Sequence, residues 1–254
     1  MTTDIKLTIK GGVDKDGLPD KVMEINIKKG DIVGIVGPTG SGKSTLIDDI
    51  EQLAQGDTPT GRIVLINDEE PDINLRVDPR QKLIAQLSQN MHFLADMTVR
   101  EFLAMHARSR GKGPELIGKV IELANSLTGE PIHEEEHLTV LSGGQSRSLM
   151  TADIAVISDS PIVLIDEIEN AGIKKQDALR LLAGEGKIVV VVTHDPVLAL
   201  MASRRIVMKN GGMRDIICTS EAEKDVCNKV TEVDDWLMSL RETIRQGDSV
   251  EGIA

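Results

Sequence analysis

The sequence predicts an α/β domain built on a mainly parallel core sheet, with an antiparallel β region at its N-terminal end and a helical insert in its middle. Three observations predict it. Helical and strand patterns alternate from about residue 142 to 202, the order that produces parallel strands joined by crossover helices. The runs 32–36, 162–165 and 188–192 are almost continuously apolar, as strands covered on both faces require. A chain of 254 residues with 40% hydrophobic and 28% charged side chains can bury a sizeable core in one or two domains.

The elements follow in order. Ile5, Leu7 and Ile9 alternate with Lys6 and Thr8, a half-buried strand, and a second alternation covers 22–27 after the turn cluster Lys15-Asp16-Gly17-Leu18-Pro19. The apolar run 32–36 stops at Gly37; a helical pattern over 44–53 and a strand over 62–66 come next. From about 90 to 150 the chain reads as mostly helical. Thr98 with Glu101 forms a capping-box pattern ahead of Phe102, Leu103 and Met105, and 114–127 carries another helix. Helix (142–156), strand (161–165), helix (174–182), strand (188–192) and helix (196–202) then alternate. These patterns divide the chain into a domain over 1–219, with the helical subdomain inserted at about 90–150, and a C-terminal segment over 220–254. In that segment Val226, Val230, Val233, Leu237, Leu240 and Ile244 recur every three or four residues beside Trp236. Such a stripe describes an amphipathic helix that either packs on its own domain or contacts another molecule.

Composition excludes several classes of function. Lys+Arg is 29 and Asp+Glu 41, a net charge of −12, which disfavours nucleic acid as a partner because phosphate binding needs basic surface. No apolar run approaches the roughly 18–20 residues of a membrane helix, and Met1-Thr2-Thr3-Asp4 lacks the features of a secretion signal. A cytoplasmic chain is expected. Cys218 and Cys227 form no CxxC pair, so neither a disulfide framework nor a zinc site is expected. Tyrosine is missing, and Phe93, Phe102 and Trp236 are the whole aromatic complement.

Two motifs carry chemistry directly. Gly37-Pro38-Thr39-Gly40-Ser41-Gly42-Lys43-Ser44, followed by Thr45, fits G-x-x-x-x-G-K-[ST] between a strand and a helix, the context the phosphate-binding loop requires. Its glycines let successive N–H groups line one concave cradle, and the helix adds its positive end. Lys43 supplies a mobile charge for the β- and γ-phosphates, and Ser44 a hydroxyl ligand for Mg²⁺. The second motif is the apolar run that ends in Asp166-Glu167. In parallel α/β sheets ligands gather at the carboxyl ends of strands. Asp166 there is suited to hold Mg²⁺, and Glu167 to act on an attacking water as general base or orienting group.

Leu141-Ser142-Gly143-Gly144-Gln145 heads a helix with a hydroxyl and two glycine N–H groups, a second anion site. This segment resembles the signature motif of ATP-binding cassette (ABC) ATPases. Phosphate loop, signature and acidic strand end occur in that family's order over about residues 4–215. The resemblance implies an ABC-type P-loop NTPase fold, ATP with Mg²⁺, and a head-to-tail homodimer, or a pair with a paralogous cassette. Each nucleotide would lie between one copy's phosphate loop and the other's Ser142, Gly143, Gly144 and Gln145. By the same resemblance Gln89, ahead of Thr98-Val99, contacts Mg²⁺ and water, and His194, within Val191-Val192-Thr193-His194-Asp195, contacts the γ-phosphate. The catalytic set is then Glu167, His194, Gln89 and Lys43, with Ser44, Gln89 and Asp166 on the metal. Two uses of the motion are open: the nucleotide-binding subunit of a transporter, docked on a separate membrane-spanning subunit at the inner face of the membrane, or a soluble ATPase that matures, remodels or regulates a client protein.

The chain also departs from that family. An aromatic ring against adenine is expected about 23 residues before the first loop glycine, which lands beside Val13 and Asp14, and no aromatic precedes Phe93. Val13 is therefore expected to make an aliphatic contact only, with relaxed base selectivity. After Glu167 the chain reads Ile168-Glu169-Asn170-Ala171-Gly172-Ile173 without the family's Pro or Leu-Asp pair, and the interval to His194 is several residues short. Asp153 stands where the signature helix carries an arginine. His92, His106, His133 and His137 lie outside any motif and are expected to be surface or packing residues.

Overall fold

Alternate residues of two central strands face opposite ways, and both sets are apolar; that pattern places the sheet between two cores. The computed structural model describes residues 5–78, 81–88, 93–166 and 173–250, without the side chains of 242, 245 and 246. Among these residues one sheet is antiparallel: β1 (Lys6–Lys10) lies between β2 (Glu24–Lys28) and β4 (Ile63–Ile66). The other holds β3 (Ile32–Val36), β5 (Ile84–Leu87), β6 (Ile162–Asp166), β7 (Ile188–Val192), β8 (Arg204–Lys209) and β9 (Gly212–Cys218) in the order β5-β6-β7-β3-β8-β9. Its pairs are parallel except the β8–β9 hairpin. The α/β class with a mostly parallel sheet and antiparallel N-terminal strands therefore holds.

Ile162 and Leu164 of β6, with Ile188, Val190 and Val192 of β7, point into a core shared with β1, β2 and α1 (Lys43–Glu51). Val163, Ile165, Val189 and Val191 point into the opposite core, under α6 (Lys175–Gly184) and α7 (Pro196–Met201). All nine are essentially inaccessible, and full burial of each aliphatic side chain contributes roughly 1.5–3 kcal/mol.

A third core belongs to the helical insert. The Thr98–Glu101 capping box starts α3 (Val99–Ser109), which packs with α4 (Leu116–Leu127) and the first part of α5 (Gly143–Val156) through Leu103, Val120, Leu138, Leu149 and Ala152. The next turn of α5 carries Ile154 and Ala155 into the core beside β6, so this helix joins insert and sheet. Asp153, between Ala152 and Ile154, is 1% exposed and pairs with His106 Nδ1 at 2.8 Å. A carboxylate is therefore accommodated in the signature helix by a histidine of α3, while His137 pairs with Asp96 at 2.9 Å; His92 lies outside the described residues.

Among the described residues, β5, the short helix α2 (Ile73–Val77) and the strands β8 and β9 have no counterpart in the sequence reading. The C-terminal stripe forms α8 (Glu221–Gln246), which packs against α7 with part of the stripe covered. Cys227 and Asp234 turn inward beside the half-buried Val230, Leu237 and Leu240 of the stripe, whereas Val226, Val233, Trp236 and Ile244 are exposed.

Candidate functional site

Pairing across β3, β7 and β6 is level. Ile35 lies opposite Val192, and Val192 opposite Asp166. Neighbouring strands are about 4.8 Å apart, so Asp166 lies roughly 10 Å from β3 along the same edge. Two residues beyond Ile35 the phosphate-loop segment begins at Gly37, and two beyond Val192 comes His194. Gly37, Asp166 and His194 thus leave the sheet on one side.

The loop is shaped by close backbone contacts. Gly37 and Gly42 have φ of 151° and 99°, and a Cβ there would stand 2.5 Å from Met208 O and 2.7 Å from Gly211 Cα. Only glycine fits such positions without displacing neighbouring backbone. Gly42 also starts α1 without a side-chain cap, leaving the first-turn N–H groups for an anion. Lys43, buried, donates to Gly37 O at 2.9 Å and Pro38 O at 3.3 Å. Among the described residues the buried hydroxyl of Ser41 has no hydrogen-bond partner, and a phosphate oxygen is the acceptor that would complete it. Ser44 and Thr45 are exposed. The chemistry present fits a polyphosphate.

A buried ionic cluster supports this loop from below. Arg62, inaccessible, donates to Asp20 through Nε and Nη2 (3.0 and 3.3 Å), to Asp49 Oδ2 (3.1 Å) and to Gly211 O (2.7 Å). Gly211 N in turn donates to Ser41 O at 2.8 Å. Asp20 also accepts from the N–H groups of Gly12 and Met213. Val13 follows Gly12 and is half-buried, its N–H held by Thr60 O at 2.7 Å. Lys15 then closes on the loop, donating from Nζ to Gly40 O at 2.8 Å. Arg62, Lys15 and Gly211 were not singled out in the sequence. The Asn210-Gly211 pair between two runs was the available signal, since it marks a tight hairpin.

Ser142 caps α5 in a capping box: it accepts from Gln145 N at 3.2 Å, and Gln145 Oε1 accepts from Ser142 N at 2.8 Å. Its hydroxyl donates to Glu130 Oε2 at 2.8 Å. Ser142 and Gly143 are exposed, Gly144 and Gln145 half-buried, so another molecule can reach this helix start. Asp166 is half-buried and His194 exposed; the N–H of Thr193, between His194 and β7, donates to Ile35 O at 3.4 Å. Gln89 and Glu167 lie outside the described residues. Among the described residues no three His, Cys, Asp or Glu side chains cluster to hold a metal, and no helix is long and apolar enough to cross a membrane.

Comparison with known proteins agrees with this architecture. Residues 21–170 match the family model for ABC transporters. The chain is 68% identical over 244 residues to an ABC transporter ATP-binding protein of Methanocaldococcus jannaschii, covering 96% of this chain and 94% of that one. It is 34% identical over 206 residues to the macrolide export ATP-binding/permease protein MacB of Mannheimia succiniciproducens, across 77% of this chain but 31% of that longer protein. In structure it resembles the cbiO1 protein of Clostridium perfringens, part of the ABC transporter complex cbiONQ, with a TM-score of 0.65 at 24% identity over 94% of this chain and 99% of that one. The phosphate-loop pattern, the signature segment, the fold and these relatives agree: the chain belongs to the ABC transporter family of ATP-binding proteins.

Proposed function

We propose that the chain is a Mg²⁺-dependent ATPase whose two copies close head to tail around two nucleotides and so move a separate membrane-spanning subunit. The level edge of β3, β7 and β6 carries the ATPase reading, because an anion cradle, a carboxylate and an exposed histidine share it. In this reading the residues from Gly37 to Thr45 hold the triphosphate, and Lys43 exchanges its loop carbonyls for β- and γ-phosphate oxygens. Ser44, Gln89 and Asp166 would hold Mg²⁺ together with the phosphates, which suits an ion that needs few protein ligands and keeps its waters. Bound there, the metal would neutralise charge on the transferring phosphoryl group. Glu167 orients and deprotonates the attacking water, His194 steadies the γ-phosphate, and both act along a line set before reaction. Val13 lies against the base.

The exposed helix start at Ser142–Gly143 supports the dimer, since one nucleotide needs only one phosphate loop. A symmetric pair would present each copy's Ser142 helix to the other's nucleotide. ATP then favours the closed pair, and hydrolysis releases it. The roles named for the relatives, export in one and membership of a transporter complex in another, support a membrane-spanning partner.

Glu167→Gln tests the scheme. With ATP the variant should run as a stable dimer by light scattering, and without it as a monomer; a variant that stays monomeric with ATP would sink the head-to-tail pair. Copurification from membranes should bring down a stoichiometric polytopic protein. A soluble client recovered instead would replace the transporter with a remodelling ATPase.

A further inference from the structure

Lys175, the first residue of α6, reaches two carboxylates at once, Asp195 Oδ2 at 2.5 Å and Asp234 Oδ2 at 2.9 Å. The three side chains are 13%, 12% and 21% exposed, so water screens the cluster far less than it would a surface ion pair. Burial works against the Lys175 charge, but hydrogen bonds and charge from Asp195 and Asp234 outweigh it and hold the pKa above the ordinary lysine value. The ammonium persists through the physiological range.

The two acids belong to different parts of the fold. Asp195 follows His194 directly and caps α7: Oδ1 accepts from Val197 N at 2.8 Å and Leu198 N at 3.1 Å, and Asp195 N donates to Thr193 Oγ1 at 2.9 Å. Asp234 sits in the middle of α8. That helix is also held by Cys227 Sγ against Val197 O at 3.8 Å and by Glu223 on Arg205 at 2.5 Å. The backbone on the C-terminal side of His194 is anchored through Asp195.

We infer that Lys175 is a positioning residue for His194: through Asp195 it holds the turn that presents the histidine, and through Asp234 it makes that hold depend on the seating of the C-terminal helix. The inference rests on the ATPase reading above, which gives His194 its task at the γ-phosphate. Any partner that lifts α8 from α7 would leave Lys175 with one carboxylate and loosen the His194 turn, slowing turnover from outside the nucleotide site. A lysine that merely held the fold together would instead lower stability and leave the turnover of the folded protein alone.

Steady-state ATP turnover of the full chain tests this with Lys175→Met, Lys175→Arg and Asp234→Asn. Misplacing a group that acts in the transition state lowers kcat more than it raises KM. Lys175→Met should therefore lose about tenfold in kcat with KM for ATP within about twofold, Lys175→Arg should recover most of the loss, and Asp234→Asn should lose about threefold. Unchanged kcat in the folded variants, a fall in kcat matched by the same rise in KM, or a loss that arginine does not recover would overturn the inference. Should Lys175→Met not fold, Asp234→Asn decides: wild-type kcat there overturns it, and a selective fall supports it. Wild-type protein that turns over no ATP at all would instead overturn the ATPase reading.

Discussion

Lys43 turns its ammonium back onto the loop that precedes it, with Nζ 2.9 Å from the carbonyl oxygen of Gly37. A buried charge needs partners, and the loop's own carbonyls serve until an anion takes their place. Binding a triphosphate is then an exchange of neutral acceptors for charged ones, and charge-assisted hydrogen bonds are about twice as strong as neutral ones. The side chain is pre-placed on the cradle by the same contacts that keep it satisfied.

Lys43→Met should therefore fold but bind ATP on the order of 10–100-fold more weakly, the worth of one charged hydrogen bond or two. Equilibrium dialysis or fluorescence titration with an ATP analogue measures it. Affinity within twofold of wild type would show that the lysine does not face the phosphates.

Arg62 neutralises Asp20 and Asp49 where none of the three side chains is more than 2% exposed. Arg62→Met leaves two buried carboxylates without their cation and should cost about 3–5 kcal/mol of stability. A urea unfolding midpoint reads this directly, and a shift worth less than about 1 kcal/mol would mean that the cluster repacks or admits water. Arg62→Lys should remain well below wild type, because an ammonium cannot reproduce the fork that spans both acids and Gly211 O.

Val13 is half-buried and no aromatic ring precedes Phe93, so a base seated against Val13 as proposed would find no stacking partner in the N-terminal segment. GTP and ATP should bind with comparable affinity, and Val13→Tyr should strengthen ATP binding by about 1–3 kcal/mol, the usual worth of a base–aromatic stack. Competition titrations of the two nucleotides decide it. Strong ATP preference in the wild type would place the selective contact elsewhere.

Lys187 donates to the carbonyl oxygens of Ser158 and Ser160 at 2.8 and 2.9 Å, and burial, reinforced by Lys112, pushes its pKa below the ordinary 10.5. Between the folded pKa and 10.5 the unfolded chain binds more protons than the folded one, so this residue's contribution to stability rises with pH there. Relative to Lys187→Met, wild type should gain stability as pH climbs toward 10.5, measured by denaturant midpoints at matched ionic strength. A gap between the two that stays constant from neutral pH upward would contradict it.

Periodicity made the central strands and the capped helices α3 and α5 legible, because both faces of β6 and β7 are covered and their residues must be apolar whatever they touch. It failed where an element depends on its neighbours. β5 reads Ile-Ala-Gln-Leu, too short and mixed to stand out, and β8 opens on Arg204 and Arg205, which interior positions would not suggest. Those arginines are tolerated because Asp31 and Glu223 come from elsewhere to pair with them. Of the α8 stripe, Val230, Leu237 and Leu240 are half-buried while Val226, Val233 and Ile244 stay exposed, and the polar contacts of Asp234 and Cys227 with Lys175 and Val197 O were not legible in the periodicity.

Chain order alone was enough to identify the phosphate loop, the signature segment, the acidic strand end and the family they imply, because loops that approach phosphates need particular residues at fixed local spacing. Folding decided everything that depends on distance between remote residues. Arg62 meets acids 42 and 13 positions away in sequence, Lys15 closes on Gly40, and Lys175 joins the turn after β7 to the terminal helix. Local spacing records what the backbone can do within a few residues, whereas a buried charge survives only where the three-dimensional fold delivers its counter-charge.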